Sequence, residues 1–291
     1  MPAAIVYRGM TKEQLDAQYN IRAMIPDHPE IFKSWAARSE RARDAMKDRS
    51  RLDLGYGTDP AQTLDLFLAG EAGAPLLIFI HGGYWRAQDK SEFSYVAEPY
   101  VAAGICVAVV NYRLAPRVAI DDIVSDIRQS IIWLYGSAAG HGYDRNHIFV
   151  SGTSAGGHLT VSALATPWPE HGLPADVLKG GCALSGLYDL EPIRLCYINR
   201  EIGMSEETMK RQSVIDHLPA QAPPLILSTG GDESAEFKRH QRELAEAWRQ
   251  AGLSCTVIDQ PDGHHFDIIE RFIEMDGLLG QSVLALVRAG A

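Results

Sequence analysis

Short, nearly unbroken apolar runs recur along the chain, at Leu64 to Leu68, Leu76 to Ile80, Ile105 to Val110, Ile148 to Ser151, Gly181 to Leu184, Leu225 to Ser228 and Cys255 to Ile258. A strand that is apolar on alternate residues covers one face, whereas one that is apolar throughout must be covered on both. Between the runs lie segments of helical period. The clearest carries Ile120, Ile123, Val124, Ile127, Ile131 and Leu134 on one side, with Asp121, Ser125, Asp126 and Arg128 on the other. This alternation predicts an α/β fold with a mostly parallel central sheet and helices on both faces. Ligands of such a sheet bind beyond the carboxyl ends of its strands.

The chain has 291 residues, 46% of them hydrophobic and 22% charged, which suits one large α/β domain over residues 1–291. Two stretches fall outside the alternation. Residues 1–50 read as a polar, helical N-terminal extension with Ile31, Phe32, Trp35 and Met46 as apolar anchors, and residues 187–222 read as a cap segment containing Tyr188, Tyr197, Asn199 and Met204. Both are expected to roof a cleft at the strand ends, because loops on a rigid scaffold carry specificity.

Gly152-Thr153-Ser154-Ala155-Gly156 joins the run ending at Ser151 to a helical segment containing Leu159, Val161 and Leu164. A G-x-S-x-G motif between a buried strand and a helix places its serine on a sharp, strained turn, which makes Ser154 the candidate nucleophile. A hydroxyl nucleophile requires a base, an acid that orients the base, and donors for the oxyanion that forms. His81-Gly82-Gly83-Tyr84-Trp85 follows the run Leu76 to Ile80 directly. Main-chain N–H groups of Gly82, Gly83 and Tyr84, with that of Ala155 after the serine, are the expected oxyanion donors.

Leu225 to Ser228 empties into Thr229-Gly230-Gly231-Asp232-Glu233-Ser234. An acid at the end of a late parallel strand suits the third member of a triad, and Asp232 is the expected one. Glu233 and Asp189 compete with it, and capping of the following helix is its alternative role. Asp262-Gly263-His264-His265-Phe266-Asp267 lies beyond the last run. His265 is the expected base, because it adjoins the helix Phe266 to Val287 that would hold it, and His264 is left to solvent or a backbone hydrogen bond. Trp85 and Tyr188 are candidate substrate-pocket residues, and Arg86 and Arg113 are candidates to meet a substrate carboxylate.

Net charge is −10 and the basic residues are dispersed, which argues against a nucleic-acid partner. Met1 to Thr11 lacks the apolar core of a secretory signal, and the uncharged stretch Pro99 to Tyr112 is shorter than the about 20 apolar residues a bilayer requires. A cytoplasmic protein with no membrane partner is expected, with a homodimer admitted. Cys106, Cys182, Cys196 and Cys255 have no C-x-x-C spacing and read as buried thiols, and no histidine pair has zincin spacing, so neither metal nor cofactor is expected.

Several segments together resemble the kynurenine formamidase (arylformamidase) family of the α/β-hydrolase superfamily. They are His81-Gly82-Gly83-Tyr84-Trp85, Ser154-Ala155-Gly156 with His158-Leu159, Ser185 to Pro192, Asp232 to Phe237, and His265-Phe266-Asp267. Asn111 to Pro116 resembles the wider group of hormone-sensitive-lipase-like carboxylesterases, and Thr153 stands where the formamidases commonly have histidine. The resemblance implies an α/β-hydrolase fold, Ser154 as nucleophile, Asp232 as acid and His265 as base. The implied reaction is cleavage of a small acyl group from an aryl amide such as N-formylkynurenine through an acyl-enzyme. Hydrolysis of short-chain acyl or aryl esters is the alternative.

Overall fold

A computed structural model describes residues 4–289 of the chain. The chain opens with a small hairpin of β1 (Ile5–Tyr7) and β2 (Met10–Thr11), then α1 (Lys12–Tyr19), α2 (Ile21–Met24) and α3 (His28–Ala45). Thr11 and Gln14 cap α1 reciprocally, each side chain accepting from the other's backbone N–H.

An eight-stranded sheet follows, built from β3 (Ser50–Gly55), β4 (Thr63–Phe67), β5 (Ala74–Ile80), β6 (Cys106–Val110), β7 (Tyr143–Thr153), β8 (Leu178–Leu184), β9 (Leu225–Gly230) and β10 (Cys255–Gln260). Its spatial order is β10-β9-β8-β7-β5-β6-β4-β3. The strands from β10 to β6 run parallel, while β4 is antiparallel to both β6 and β3. The edge strand β3 has no counterpart among the apolar runs of the sequence, because most of its side chains face solvent.

Connecting the strands are α4 (Ala97–Ala102), α5 (Ile120–His141) and α6 (Ala155–Leu164). The cap segment forms α7 (Glu191–Leu195), α8 (Asn199–Ile202) and α9 (Glu206–Gln212), and α10 (Ala235–Gln250) joins β9 to β10. The single helix expected over Phe266 to Val287 is instead two, α11 (Asp267–Ile273) and α12 (Leu278–Ala289). Gly277 N–H turns back to the Glu274 carbonyl at 3.0 Å, and Gly280 lies so close that a Cβ would meet the same carbonyl oxygen at 2.1 Å. The apolar period continues through this break, which is why pattern alone does not reveal it.

The extension is tied to the domain by polar groups that burial makes costly to leave unpaired. The buried Tyr19 hydroxyl donates to Glu236 at 3.0 Å and meets His240 Nε2 at 3.0 Å. Arg239 pairs with Glu236, Glu243 and Asp189, and the Tyr7 hydroxyl donates to Asp189 at 2.7 Å. Asp189 is therefore committed to holding the hairpin and cap together. Among the described residues no helix is long and apolar enough to cross a membrane.

Candidate active site

From β5 the chain crosses to β6 on one side of it, and β7 then lies on the other. The carboxyl ends of β5 and β7 therefore flank a topological switch point, where open parallel sheets leave a crevice. The His81–Trp85 turn leaves β5 and Ser154 leaves β7, so the crevice receives both.

Ser154 has φ +57° and ψ −118°, a left-handed conformation that a residue with a Cβ adopts at a cost of about 1–3 kcal/mol. Tight packing imposes it. A Cβ on Gly156 would meet the Ile80 carbonyl oxygen at 2.0 Å, and one on Gly152 would meet the Gly156 oxygen at 2.5 Å. The turn is thus pressed against β5, and the Ser154 N–H is anchored to the Leu184 carbonyl at 2.8 Å.

The β5 turn is locked from behind. The Tyr112 hydroxyl lies 3.0 Å from both the His81 and the Gly82 carbonyl oxygens, and its ring stacks on the His81 imidazole at 4.4 Å. His81 Nε2 meets Asn111 Oδ1 at 3.0 Å. In a planar trans peptide the N–H points opposite the carbonyl, so this clamp turns the N–H groups of Gly82 and Gly83 away from Tyr112. The Gly83 carbonyl accepts from Arg86 and Ala87, which turns the Tyr84 N–H away likewise. The Ala155 N–H lies in the first turn of α6, where no intrahelical acceptor exists. Among the described residues none accepts from these four N–H groups.

The acid expected at Asp232 is corrected by the geometry. Asp232 is exposed, and its backbone N–H donates to the Gly263 carbonyl at 3.0 Å. Glu233, one residue on, is buried, and its Oε2 lies 2.6 Å from His265 Nδ1. Its Oε1 accepts from the Ser185 hydroxyl at 2.5 Å and from the Gly230 N–H at 2.8 Å. Successive residues leaving a strand point to different sides, and the longer glutamate reaches inward where the aspartate faces solvent. Ser185, itself at φ +47°, was not singled out as a site residue from the sequence. A serine at the end of β8, the strand next to β7, is the signal that could have found it. Of the two histidines, His265 is buried against Phe237, with ring centroids 4.6 Å apart, whereas His264 pairs with Asp267 at 3.2 Å.

Ser154 and His265 open onto one pocket together with Gly82, Gly83, Tyr84 and Thr153. The extension and the cap add to its walls: Ile21, Arg22, Phe32 and Trp35 from α2 and α3, and Tyr197 from the cap segment. A second cavity is lined by Ile21, Ile25, Asp232, Glu233, Phe237 and His265, so Ile21 and His265 face both.

Trp85 and Tyr188, expected in the pocket, belong to the core instead. Trp85 is fully buried edge-on against His158 at 5.2 Å, and Tyr188 is buried beneath Gly186 and against His240. An aromatic residue beside a reactive motif packs as readily inward as toward substrate, and sequence does not distinguish the two. Arg113 is likewise occupied, its guanidinium taking both oxygens of the buried Asp126 at 2.6–3.1 Å, while Arg86 does line the pocket.

A family model described as BD-FAE matches residues 64–168. The kynurenine formamidase of Danio rerio is 29% identical over 300 residues, covering 97% of this chain and 98% of that protein. Esterase LipC of Mycobacterium tuberculosis is 29% identical over 243 residues, covering 74% of this chain and 59% of that one. Among solved structures, a proposed thioesterase from Silicibacter sp. tm1040 superposes with a TM-score of 0.80 at 29% identity, covering 94% of this chain and 99% of that chain. Esterase B of Lactobacillus rhamnosis shares the fold, with a TM-score of 0.67 at 20% identity over 93% of this chain and 95% of that chain. The chain is thus a hydrolase of the α/β-hydrolase fold, similar along nearly its whole length to the kynurenine formamidases and over most of it to the carboxylesterases.

Proposed function

We propose that the protein hydrolyses a small acyl group from an aryl amide of the N-formylkynurenine type, with Ser154, His265 and Glu233 as a catalytic triad. The observation that carries this reading is the convergence of a strained Ser154 and a His265 held by Glu233 on one pocket, beside four backbone N–H groups without acceptors among the described residues. His265 takes the Ser154 hydroxyl proton as the oxygen attacks the carbonyl carbon, and Glu233 keeps the imidazole in the tautomer that makes this possible. The N–H groups of Gly83, Tyr84 and Ala155, with Gly82 beside them, receive the charge on the carbonyl oxygen. The imidazolium then protonates the departing nitrogen, and water repeats the sequence on the acyl-serine to release the acid.

Hydrolysis of short acyl or aryl esters needs the same groups, and the similarity to esterase LipC favours it as the second reading. Comparing kcat/KM for N-formylkynurenine with that for a p-nitrophenyl acetate series separates the two. Efficient ester cleavage with an inert formamide would overturn the first in favour of the second.

A further inference from the structure

We infer that the pocket selects acyl substrates bearing a lone anionic group, a carboxylate above all, which is received by the guanidinium groups of Arg22 and Arg86. The inference rests on Ser154 being an acyl-transfer nucleophile, not on the choice between amide and ester. Apart from His265, the charged side chains lining the pocket among the described residues are these two arginines, and no described aspartate or glutamate lines it. In a chain of net charge −10 that is a local reversal of sign at the reacting centre.

Arg22 is exposed, and among the described residues no carboxylate pairs with it; its guanidinium lies 5.9 Å from the centroid of Phe32, which shares the pocket wall. Arg86 gives Nη1 to Glu201, but its Nε is buried with no hydrogen-bond partner among the described residues. A buried donor left unpaired is costly, and a small shift of the Arg86 side chain would bring it to a ligand oxygen. Phe32, Trp35, Phe93 and Phe266 line the same pocket and supply apolar surface for a ring. Since the pocket lining holds no acid, the ammonium of a zwitterionic substrate finds no counter-charge there.

The test uses matched pairs that differ by one carboxylate: formanilide with 3-formamidobenzoate, and phenyl acetate with 3-carboxyphenyl acetate. Each kcat/KM is divided by the alkaline hydrolysis rate of the same compound. The anionic member should be preferred by about tenfold or more, an advantage that shrinks with added salt and collapses toward unity in Arg22→Gln/Arg86→Gln. N-formylkynurenine should gain nothing over its analogue lacking the amino group. Calorimetric binding of 3-formamidobenzoate and formanilide to Ser154→Ala supplies a readout independent of turnover, and the anion should bind more tightly.

A ratio near unity in the wild type, retention of the preference in the double variant, equal binding of the two ligands, or a clear advantage of the zwitterion would each overturn the inference. Cleavage of esters alone, with the anionic preference intact, would instead sink the formamidase reading and leave this one standing.

Discussion

His265 Nδ1 lies 2.6 Å from Glu233 Oε2, and the other oxygen of that carboxylate is held by Ser185 and by the Gly230 N–H. A carboxylate held at both oxygens in this way cannot rotate away, so the imidazole it holds is fixed in tautomer and direction. Glu233→Gln should therefore lower kcat by about 10³–10⁴-fold, the scale seen when an acid that fixes the tautomer becomes an amide. Asp232→Asn should change it by no more than about threefold, as for an exposed side chain outside the site. Steady-state kinetics on one substrate decide the matter, and the reverse ranking would restore Asp232.

Replacing Ser154 separates chemistry from strain. Ser154→Ala should lower turnover by roughly 10⁴-fold or more and abolish labelling by a fluorophosphonate. Ser154→Gly should be equally inactive yet more stable than wild type by about 1 kcal/mol, because glycine adopts φ +57° without the Cβ clash. Urea denaturation measures the gain. A destabilised glycine variant would show that the turn stores no strain.

At Gly156 even a methyl group is excluded. Gly156→Ala drives a Cβ into the Ile80 and His81 carbonyls, at 2.0 and 2.7 Å, so the β5 and β7 turns must separate. A loss of about 3 kcal/mol or more is expected, of the kind produced by severe overpacking, with activity falling alongside stability. Thermal unfolding with near wild-type stability would contradict the close approach.

Acid should destabilise the fold through buried histidines. Burial lowers the pKa of His158 from 6.5 to about 4, and burial also lowers those of His81 and His240. Below pH 6.5 the unfolded chain takes up protons that these rings refuse, so stability is full above pH 6.5 and declines as pH falls toward 4. For His158 alone the loss is roughly 3 kcal/mol by the bottom of that window. Denaturant titrations at pH 7.0 and 4.5 should show it, and a His158→Asn variant should show a shallower decline.

The inner parallel strands β5 to β9 were legible in the sequence because each is covered on both faces over an apolar run. The exposed edge strand Ser50–Gly55 leaves no such trace. Ser154 and His265 were legible for a different reason: their neighbours, Gly152, Gly156 and Phe266, are demanded by local backbone and packing. Choosing between Asp232 and Glu233 required knowing which of two adjacent carboxyls leaves the strand inward, which is a matter of side-chain direction rather than composition. The pocket walls were the least legible part. Phe32 and Trp35 face it while Trp85 and Tyr188 do not, and this depends on how a distant helix docks.

That docking has a consequence for how such a protein could diversify. Ser154, Glu233 and His265 lie just beyond strand ends of the sheet, whereas Ile21, Arg22, Phe32 and Trp35 belong to α2 and α3, which precede it in the chain. Selectivity can therefore drift through substitutions in the leading helices while the hydrolytic centre stays intact. Exchanging residues 12–45 between related chains is accordingly a direct way to transplant preference without rebuilding the reaction.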